Sequence, residues 1–197
     1  MIELYYATTR PAKVYSLQRR LVPLGFTVVQ AALGIPEPRF SGVEDTAVHK
    51  VLYAYNELQQ PVVANDSGFF MHDLRGFPGT FVNYALSTVD VPGILRLADL
   101  TDRTCMFRHA LAFHDGQGAP VVFVDEVAGT IAPAERGVYD KTYHWSALVK
   151  IFIPNGLNQT LGELDEATYA DWSSNQRPKP TCAEQFVAWY QQHRTMP

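Results

Sequence analysis

The chain of 197 residues has only two cysteines, no long apolar run and no excess of positive charge. Cys105 and Cys182 lie far apart and outside any C-x-x-C or His/Cys spacing, which argues against a disulfide framework or a zinc site. No segment approaches the roughly 20 apolar residues that cross a bilayer, and the first residues lack the pattern of a leader peptide. These absences predict an unprocessed cytoplasmic protein without a membrane partner.

The charge balance excludes another class of partner. Lysine and arginine total 16 against 20 aspartates and glutamates, a formal net charge of -4. Because nucleic-acid polymers require clustered basic residues for their phosphates, we expect no such polymer as a partner. A small anionic ligand in a local basic pocket stays compatible with this composition. The hydrophobic fraction of 47% can fill a sizeable core, so residues 1–197 are predicted to form one domain, with room for two lobes.

Hydrophobic periodicity predicts strands and helices in alternation. In the first half, it indicates strands at 2–7, 26–33 and 61–64 and helices at 14–24 and 43–59. In the second half, it indicates a short helix at 91–99, a hairpin of strands 104–114 and 120–130, and a closing helix at 181–194. The sequence therefore predicts an α/β fold in which helices flank a mixed central β-sheet.

A first candidate site is the segment Ala-Thr-Thr-Arg-Pro-Ala-Lys at residues 7–13, between the first strand and the first helix. Pro11 suits the first turn of a helix, whose free N–H groups attract anions. Two hydroxyl groups and Lys13 would complete an anion pocket. The alternative is an ordinary helix start, in which Thr8 or Thr9 is the N-cap residue and Lys13 is solvated.

Two carboxylates form a second candidate. Glu37 lies between two prolines, which restrict its backbone, and Asp66 follows the apolar strand 61–64 at the point where that strand should leave the core. Together they could share a divalent cation, because Mg²⁺ prefers a few hard oxygen ligands plus substrate phosphates. The alternative is a rigid loop at Glu37 and a simple turn at Asp66.

Other polar residues give weaker signals. Arg177 and Lys179 lie in a loop before the last helix, where they could bind a phosphate or a base edge, although a solvated basic loop is the commoner explanation. His109 and His114 are five residues apart in a predicted strand, so they point to opposite faces and cannot ligate one metal ion. The histidines therefore suggest nothing catalytic.

Taken in order, these segments resemble the inosine triphosphate pyrophosphatase family. The family opening A-T-x-N-x-x-K resembles residues 7–13, and its P-E-x-x-x-G segment with a following helix lysine resembles Pro36 through Lys50. The most specific match is D-S-G-L followed by G-x-P-G-x-[YF], which resembles residues 66–81. The resemblance implies two lobes with a nucleotide cleft between them and a homodimer.

The resemblance also implies a reaction and its residues. Such enzymes hydrolyse a nucleoside triphosphate between the α- and β-phosphates, giving a monophosphate and pyrophosphate. By this resemblance, Glu37 and Asp66 hold Mg²⁺, and Asp66 and Lys13 are catalytic. The implied substrate-binding residues are Thr8, Arg10, Lys13, Lys50, Ser67, Gly68 and Arg177.

Several positions depart from the family pattern on the phosphate side. Arg10 replaces an asparagine, Asn65 replaces an acid, and Asn83 replaces a lysine. These changes leave open a non-catalytic nucleotide-binding protein on the same scaffold. A partner-binding domain that has lost nucleotides altogether is a further alternative.

The departures are more numerous where the family recognises its base. The family's G-[FY]-G-[YW]-D-P segment corresponds to residues 146–150, where Val149 stands in place of the aspartate and no aromatic is in register. The later S-H-R match keeps only Arg177, with Gln176 before it. An altered or relaxed base preference follows, because hydrogen-bond complementarity is what rejects analogues. Candidates for stacking a base are His144, Trp145 and Trp172, with buried packing as the alternative.

Overall fold

The computed structural model describes residues 2–36, 40 and 42–193. Over these residues the chain alternates strands and helices in its first half, as predicted, and its second half begins with a long hairpin. The strands are β1 (Ile2–Ala7), β2 (Phe26–Ala31), β3 (Val62–Met71), β4 (Pro78–Gly79), β5 (Thr104–His114), β6 (Val121–Ile131) and β7 (Phe152–Pro154). The helices are α1 (Pro11–Leu21), α2 (Val43–Leu58), α3 (Val82–Ala98), α4 (Glu166–Asp171) and α5 (Cys182–His193).

The strands form a mixed sheet in the order β2-β1-β3-β5-β6-β7, with β4 pairing to β3. β1 lies parallel to both β2 and β3, so that Ala7 is in register with Ala31 on one side and Ala64 on the other. β4 and β7 run antiparallel to their partners β3 and β6. The predicted fold class, a mixed central sheet with flanking helices, is confirmed.

The chain divides into two compact units. The first contains residues 1–67, 109–125 and 179–197, and the second contains residues 68–108 and 126–178. The chain passes from one unit to the other within β3, β5 and β6. Each unit therefore draws on separated stretches of sequence for its own core.

The first unit has a core of aliphatic and aromatic side chains from its strands, α1 and α5. Phe26 of β2 meets Tyr190 of α5 edge to face, with ring centroids 4.9 Å apart. Phe113 of β5 contacts Phe186 of the same helix at 5.2 Å. These contacts explain the apolar positions of the closing helix, because burying each large aromatic side chain stabilises the fold by about 1.5–3 kcal/mol.

The second unit has a core centred on Phe107 of β5. Its ring lies 4.9 Å from Phe69, 4.9 Å from Phe152 and 5.4 Å from Trp145, measured between centroids. Tyr169 and Trp172 pack into the same buried cluster. This core thus joins β3, β5 and β7 to the segment around α4.

Two boundaries differ from the sequence prediction. β3 does not end before Asp66 but continues to Met71. Its last residues pair with β4, where Phe69 is in register with Gly79 and Phe70 with Pro78. Asp66 therefore lies within the strand, and its expected position at the strand end is wrong. The predicted helix 91–99 is only the second half of α3, which is broken at Asp90.

Within the described ranges, every helix is too short or too polar to cross a lipid bilayer.

Candidate active site

Residues 65–67 of β3 each lie within hydrogen-bonding distance of a basic side chain from another element. Lys13 Nζ donates to Asn65 Oδ1 at 2.9 Å, and Lys50 Nζ donates to Asp66 Oδ1 at 2.9 Å. Ser67 Oγ lies 2.8 Å from Nδ1 of His109. All of these residues belong to the first unit, and we call them the polar cluster: Lys13, Lys50, Asn65, Asp66, Ser67 and His109.

The pleat of β3 explains why these partners come from different elements. Successive side chains of a strand point to opposite faces, so Asn65 and Ser67 share one face and Asp66 lies on the other. Asn65 meets the first turn of α1, whereas Asp66 meets the middle of α2. Ser67 meets β5, the neighbouring strand in the sheet. The sheet thus gathers polar groups that are 52, 16 and 42 residues apart in sequence.

The polar cluster is partly buried and carries an excess of positive charge. The side chains of Lys50 and Asp66 are 13% and 15% exposed, so their ion pair is less screened than a surface pair. Lys13 and Lys50 contribute two positive charges against the single negative charge of Asp66, counting histidine as neutral. Partial burial of these groups opposes folding unless they are paired. The excess charge favours an anionic ligand.

The start of α1 adds donors next to the polar cluster. Arg10 is the N-cap residue and makes no side-chain capping hydrogen bond, so the alternative with Thr8 or Thr9 as the cap is wrong. Instead, Thr8 Oγ1 accepts a hydrogen bond from the backbone N–H of Arg10 at 3.1 Å. Arg10 itself is exposed. The positive end of the helix dipole and this guanidinium reinforce the preference for an anion.

The predicted magnesium ligands are only partly described. Glu37 lies outside the described residues, so its predicted role stays a prediction. Within residues 2–36, 40 and 42–193, no three His, Cys, Asp or Glu side chains come together as a metal cluster. The carboxylate of Asp66 is nevertheless a hard oxygen donor, and Mg²⁺ is commonly held by one or two carboxylates plus substrate phosphates. The chemistry of Asp66 fits that ion.

Two predicted substrate-binding residues, Gly68 and Arg177, belong to the second unit. A Cβ atom on Gly68 would lie 2.6 Å from Cε2 of Phe70 and 2.9 Å from the carbonyl oxygen of Gly79, so packing alone requires glycine there. The guanidinium carbon of Arg177 lies 5.9 Å from the ring centroid of Trp145, a cation–π contact. Contact of either residue with a substrate remains a prediction.

Two of the residues considered for base stacking are buried. His144 and Trp172 are 3% and 2% exposed, and both rings contact Tyr169. His144 Nδ1 accepts a hydrogen bond from the backbone N–H of Asp140 at 3.0 Å, and burial lowers the pKa of this imidazole. His144 and Trp172 therefore have the packing role that the sequence left as the alternative.

The segment where the family carries its base-recognising aspartate is also buried. Leu148 and Val149 are both fully covered in the core of the second unit. An apolar side chain at position 149 offers no acceptor to a purine N–H group. The expected change in base preference stays a prediction.

Sequence reasoning missed His109. Its spacing from His114 was considered only for metal binding, whereas the structure pairs it with Ser67 across the sheet. No local pattern signals this contact, because it depends on the register between β3 and β5. Knowing that β5 neighbours β3 would have been enough to place one of its polar side chains beside residues 65–67.

These features define an α/β protein whose first unit carries a positively charged polar cluster formed by β3, β5, α1 and α2. The sequence model of the Ham1 family matches residues 4–178. The chain therefore belongs to the Ham1 family, and its resemblance to the inosine triphosphate pyrophosphatases is confirmed.

Relatives with similar sequences support this assignment over nearly the full length. A dITP/XTP pyrophosphatase of Hyperthermus butylicus is 30% identical over 188 residues, covering 95% of this chain and 94% of the relative. A dITP/XTP pyrophosphatase of Methanopyrus kandleri is 30% identical over 190 residues, covering 96% of each chain. The alignments therefore include both the polar cluster and the altered segment at 146–150.

Solved structures agree on the fold. The Ham1 protein of Coxiella burnetii superposes with a TM-score of 0.80 at 20% identity, covering 98% of this chain and 100% of that protein. The Ham1 protein of Staphylococcus aureus gives a TM-score of 0.75, also at 20% identity, with coverage of 98% and 100%. The architecture is thus retained although most side chains differ.

Proposed function

We propose that this protein is a nucleoside triphosphate pyrophosphatase, cleaving its substrate between the α- and β-phosphates into a monophosphate and pyrophosphate. The observation that carries the proposal is the polar cluster, in which Lys13 of α1 and Lys50 of α2 contact two adjacent residues of β3, Asn65 and the carboxylate Asp66. A triphosphate is the anion that suits it best, because the relatives named above are dITP/XTP pyrophosphatases.

In this proposal the lysines bind phosphate oxygens. Lys13 and Lys50 each carry three N–H donors and can therefore contact a phosphate oxygen as well as Asn65 or Asp66. Arg10 and the start of α1 provide further positive potential for the triphosphate, and the Thr8 hydroxyl is a further hydrogen-bonding group. Catalysis of this kind depends mainly on positioning and charge neutralisation.

Asp66 acts on the attacking water. The oxygen of water bonds to the α-phosphorus, the bond from that phosphorus to the bridging oxygen breaks, and pyrophosphate leaves. A carboxylate beside the reacting phosphorus accepts the proton of that water. The 2.9 Å ion pair with Lys50 orients the Asp66 carboxylate.

Magnesium is the proposed cofactor. Asp66, with Glu37, would hold the ion, which when bound neutralises phosphate charge and polarises the phosphoryl group. Asn65 in place of an acid leaves fewer carboxylates for the ion than the family pattern provides.

The substrate is proposed to be a non-standard purine nucleotide, with a relaxed choice of base. Recognition by hydrogen bonds discriminates strongly because a wrong base leaves buried polar groups unpaired. With Val149 buried and apolar, that penalty is absent at this position. Xanthine, hypoxanthine and other bases should therefore differ less in kcat/KM than they would with an aspartate there.

The setting of the enzyme is also proposed. Both cysteines are buried and neither forms a disulfide bond within the described residues, which agrees with a reducing compartment such as the cytoplasm. A homodimer, as the family resemblance implies, completes the proposal. The second candidate function, nucleotide binding without hydrolysis, is favoured by one observation, the replacement of an acid by Asn65.

The decisive experiment measures pyrophosphate release from a panel of standard and deaminated nucleoside triphosphates with Mg²⁺. We expect turnover on deaminated purines and a loss of about a thousandfold or more in kcat for Asp66→Asn, since the proton acceptor is removed. Glu57→Gln is the matched control, because Glu57 is an exposed carboxylate near the C-terminal end of α2 and lies outside the polar cluster. That variant should keep the wild-type rate.

Two results would contradict this proposal, the first on hydrolysis and the second on the active site. Nucleotide binding without pyrophosphate release in wild-type protein would favour the non-catalytic binding protein. Equal turnover in wild type and Asp66→Asn would remove Asp66 from the chemistry and indicate a different active site.

A further inference from the structure

Ser67 and His109 form a hydrogen-bonded pair directly beside Asp66. Ser67 Oγ lies 2.8 Å from His109 Nδ1, and both side chains are partly buried. The contact joins β3 to β5 at a position where the two strands are neighbours in the sheet. The pair is thus part of the rigid sheet and not of a loop.

The backbone of His109 is anchored from the opposite direction. Its carbonyl oxygen accepts a hydrogen bond from Cys182 Sγ at 3.4 Å. Cys182 is itself buried at the start of α5, where its backbone N–H donates to Oδ2 of Asp125 at 2.7 Å. The Cys182 thiol also lies 3.3 Å from the carbonyl oxygen of Phe123, so the start of α5 contacts the backbone of both β5 and β6.

The direction of the proton in this pair decides what Ser67 can do. A serine hydroxyl has one hydrogen to donate, and a phosphate oxygen at neutral pH is an acceptor. If His109 Nδ1 is an acceptor, it uses that hydrogen and Ser67 has nothing to give to a phosphate. If His109 Nδ1 carries a proton, it donates to Ser67 Oγ and the hydroxyl hydrogen is released toward a ligand.

We propose that His109 is a positioning residue which donates from Nδ1 to Ser67 Oγ and so directs the Ser67 hydroxyl hydrogen to a phosphate oxygen of the substrate. The inference rests on the proposed function, because it takes the ligand of the polar cluster to be a triphosphate. Ser67 then acts with Lys13 and Lys50, each supplying a donor from a different direction. Position 67 is the residue directly after Asp66, so this donor is built into the same strand as the carboxylate.

The first test uses a graded series at position 109. His109→Asn keeps an N–H donor near the position of Nδ1, whereas His109→Leu removes the donor. A hydrogen bond to a charged phosphate contributes strongly to the free energy of substrate binding. We therefore expect His109→Leu and Ser67→Ala each to raise KM about ten- to a hundredfold. His109→Asn should restore most of the lost affinity, with kcat close to that of wild type.

The double variant Ser67→Ala/His109→Leu measures whether the two residues act together. We expect its KM to match that of the worse single variant, because each single change already removes the same donor. Independent, multiplying losses would overturn the proposal. So would a His109→Asn enzyme as impaired as His109→Leu.

The second test observes the proton in the wild-type protein. Nitrogen-15 NMR of the imidazole ring, assigned with His109→Asn, reports whether Nδ1 is protonated in the complex with α,β-methylene inosine triphosphate, which cannot be cleaved at the relevant bond. A protonated Nδ1 is expected. An unprotonated Nδ1 in that complex would overturn the proposal without any variant having to fold.

The inference and the proposed function can fail separately. Normal turnover with an unaffected His109→Leu enzyme would overturn the inference alone. Absence of turnover, with calorimetric binding of inorganic triphosphate that weakens in His109→Leu, would overturn hydrolysis and leave the inference supported. Absence of both turnover and triphosphate binding would overturn both. His72→Asn, at an exposed histidine of the second unit, is the matched control and should behave as wild type.

Discussion

The polar cluster of the first unit and the aromatic cluster of the second unit show opposite uses of burial. In the polar cluster, Lys50 and Asp66 are only partly buried and their polar atoms contact one another. The aromatic cluster comprises Tyr143, His144, Trp145, Tyr169 and Trp172, whose rings contact each other at centroid distances of 4.2–6.1 Å. Of these five, His144, Tyr169 and Trp172 are buried.

This difference separates residues kept for a ligand from residues kept for stability. Charged groups held at partial burial add little to the free energy of unfolding, so a ligand is the better reason for their presence. Closely packed aromatic rings stabilise the fold by their burial and by edge-to-face contacts. Substitutions in the polar cluster should therefore change activity at nearly constant stability, and substitutions in the core around the aromatic cluster should do the reverse.

The largest effect is expected at Val149, where the family pattern has an aspartate. Val149→Asp would place a carboxylate at a fully buried position without a described partner for it. We expect the free energy of unfolding to fall by about 3–5 kcal/mol, the range for an uncompensated buried charge. Chemical denaturation measures it, with the nearly isosteric Val149→Thr as a control that should lose less. If Val149→Asp is stable and discriminates more strongly between bases, position 149 can still contact the base of a bound nucleotide.

A smaller effect, on activity, is expected at Lys13. Lys13→Met keeps a side chain of similar length but removes the charge that contacts Asn65 and, in our proposal, a phosphate. We expect kcat/KM to fall about a hundredfold, or about 2.7 kcal/mol of transition-state binding, with little change in melting temperature. Lys141→Met, at an exposed lysine of the second unit, should change neither quantity. Equal effects of the two substitutions would break the contrast between the units.

Much of this contrast could be predicted from the sequence, because local signals were sufficient for it. Apolar runs and helical spacing predicted β1 and α2 nearly to the residue, whereas the helix predicted at 14–24 begins and ends later than α1 (Pro11–Leu21). The segments at 7–13 and 66–81 indicated Lys13 and Asp66 before any contact between elements was known. What such patterns report is the local environment of each residue along its own strand or helix.

The rest depended on contacts between distant segments. Asp66 was expected at a strand end because nothing local shows that β3 continues by pairing with the short β4. Asp90 has a φ of 56°, and this non-helical backbone conformation breaks α3. An aspartate in the sequence does not by itself predict such a conformation. The pairing of Ser67 with His109 likewise depends on sheet order, which single-strand periodicity cannot supply.

The smallest expected effect is a pH dependence of stability that comes from the aromatic cluster. Burial lowers the pKa of His144, so the folded protein binds this proton less readily than the unfolded chain, whose histidines titrate near ~6.5. The stabilising contribution is therefore fully present above the unfolded pKa and is lost as the pH falls from there toward the lower folded pKa.

His144→Asn tests this sign, because asparagine has an acceptor near the position of Nδ1 for the backbone N–H of Asp140 but does not titrate. Unfolding free energies measured from pH 7.5 down to pH 5 should fall more steeply for wild type than for the variant, even though the variant is less stable at every pH. Parallel curves would mean that the buried ring is not the titrating group. In that case the two clusters would differ in packing and in ligand binding, but not in their response to acid.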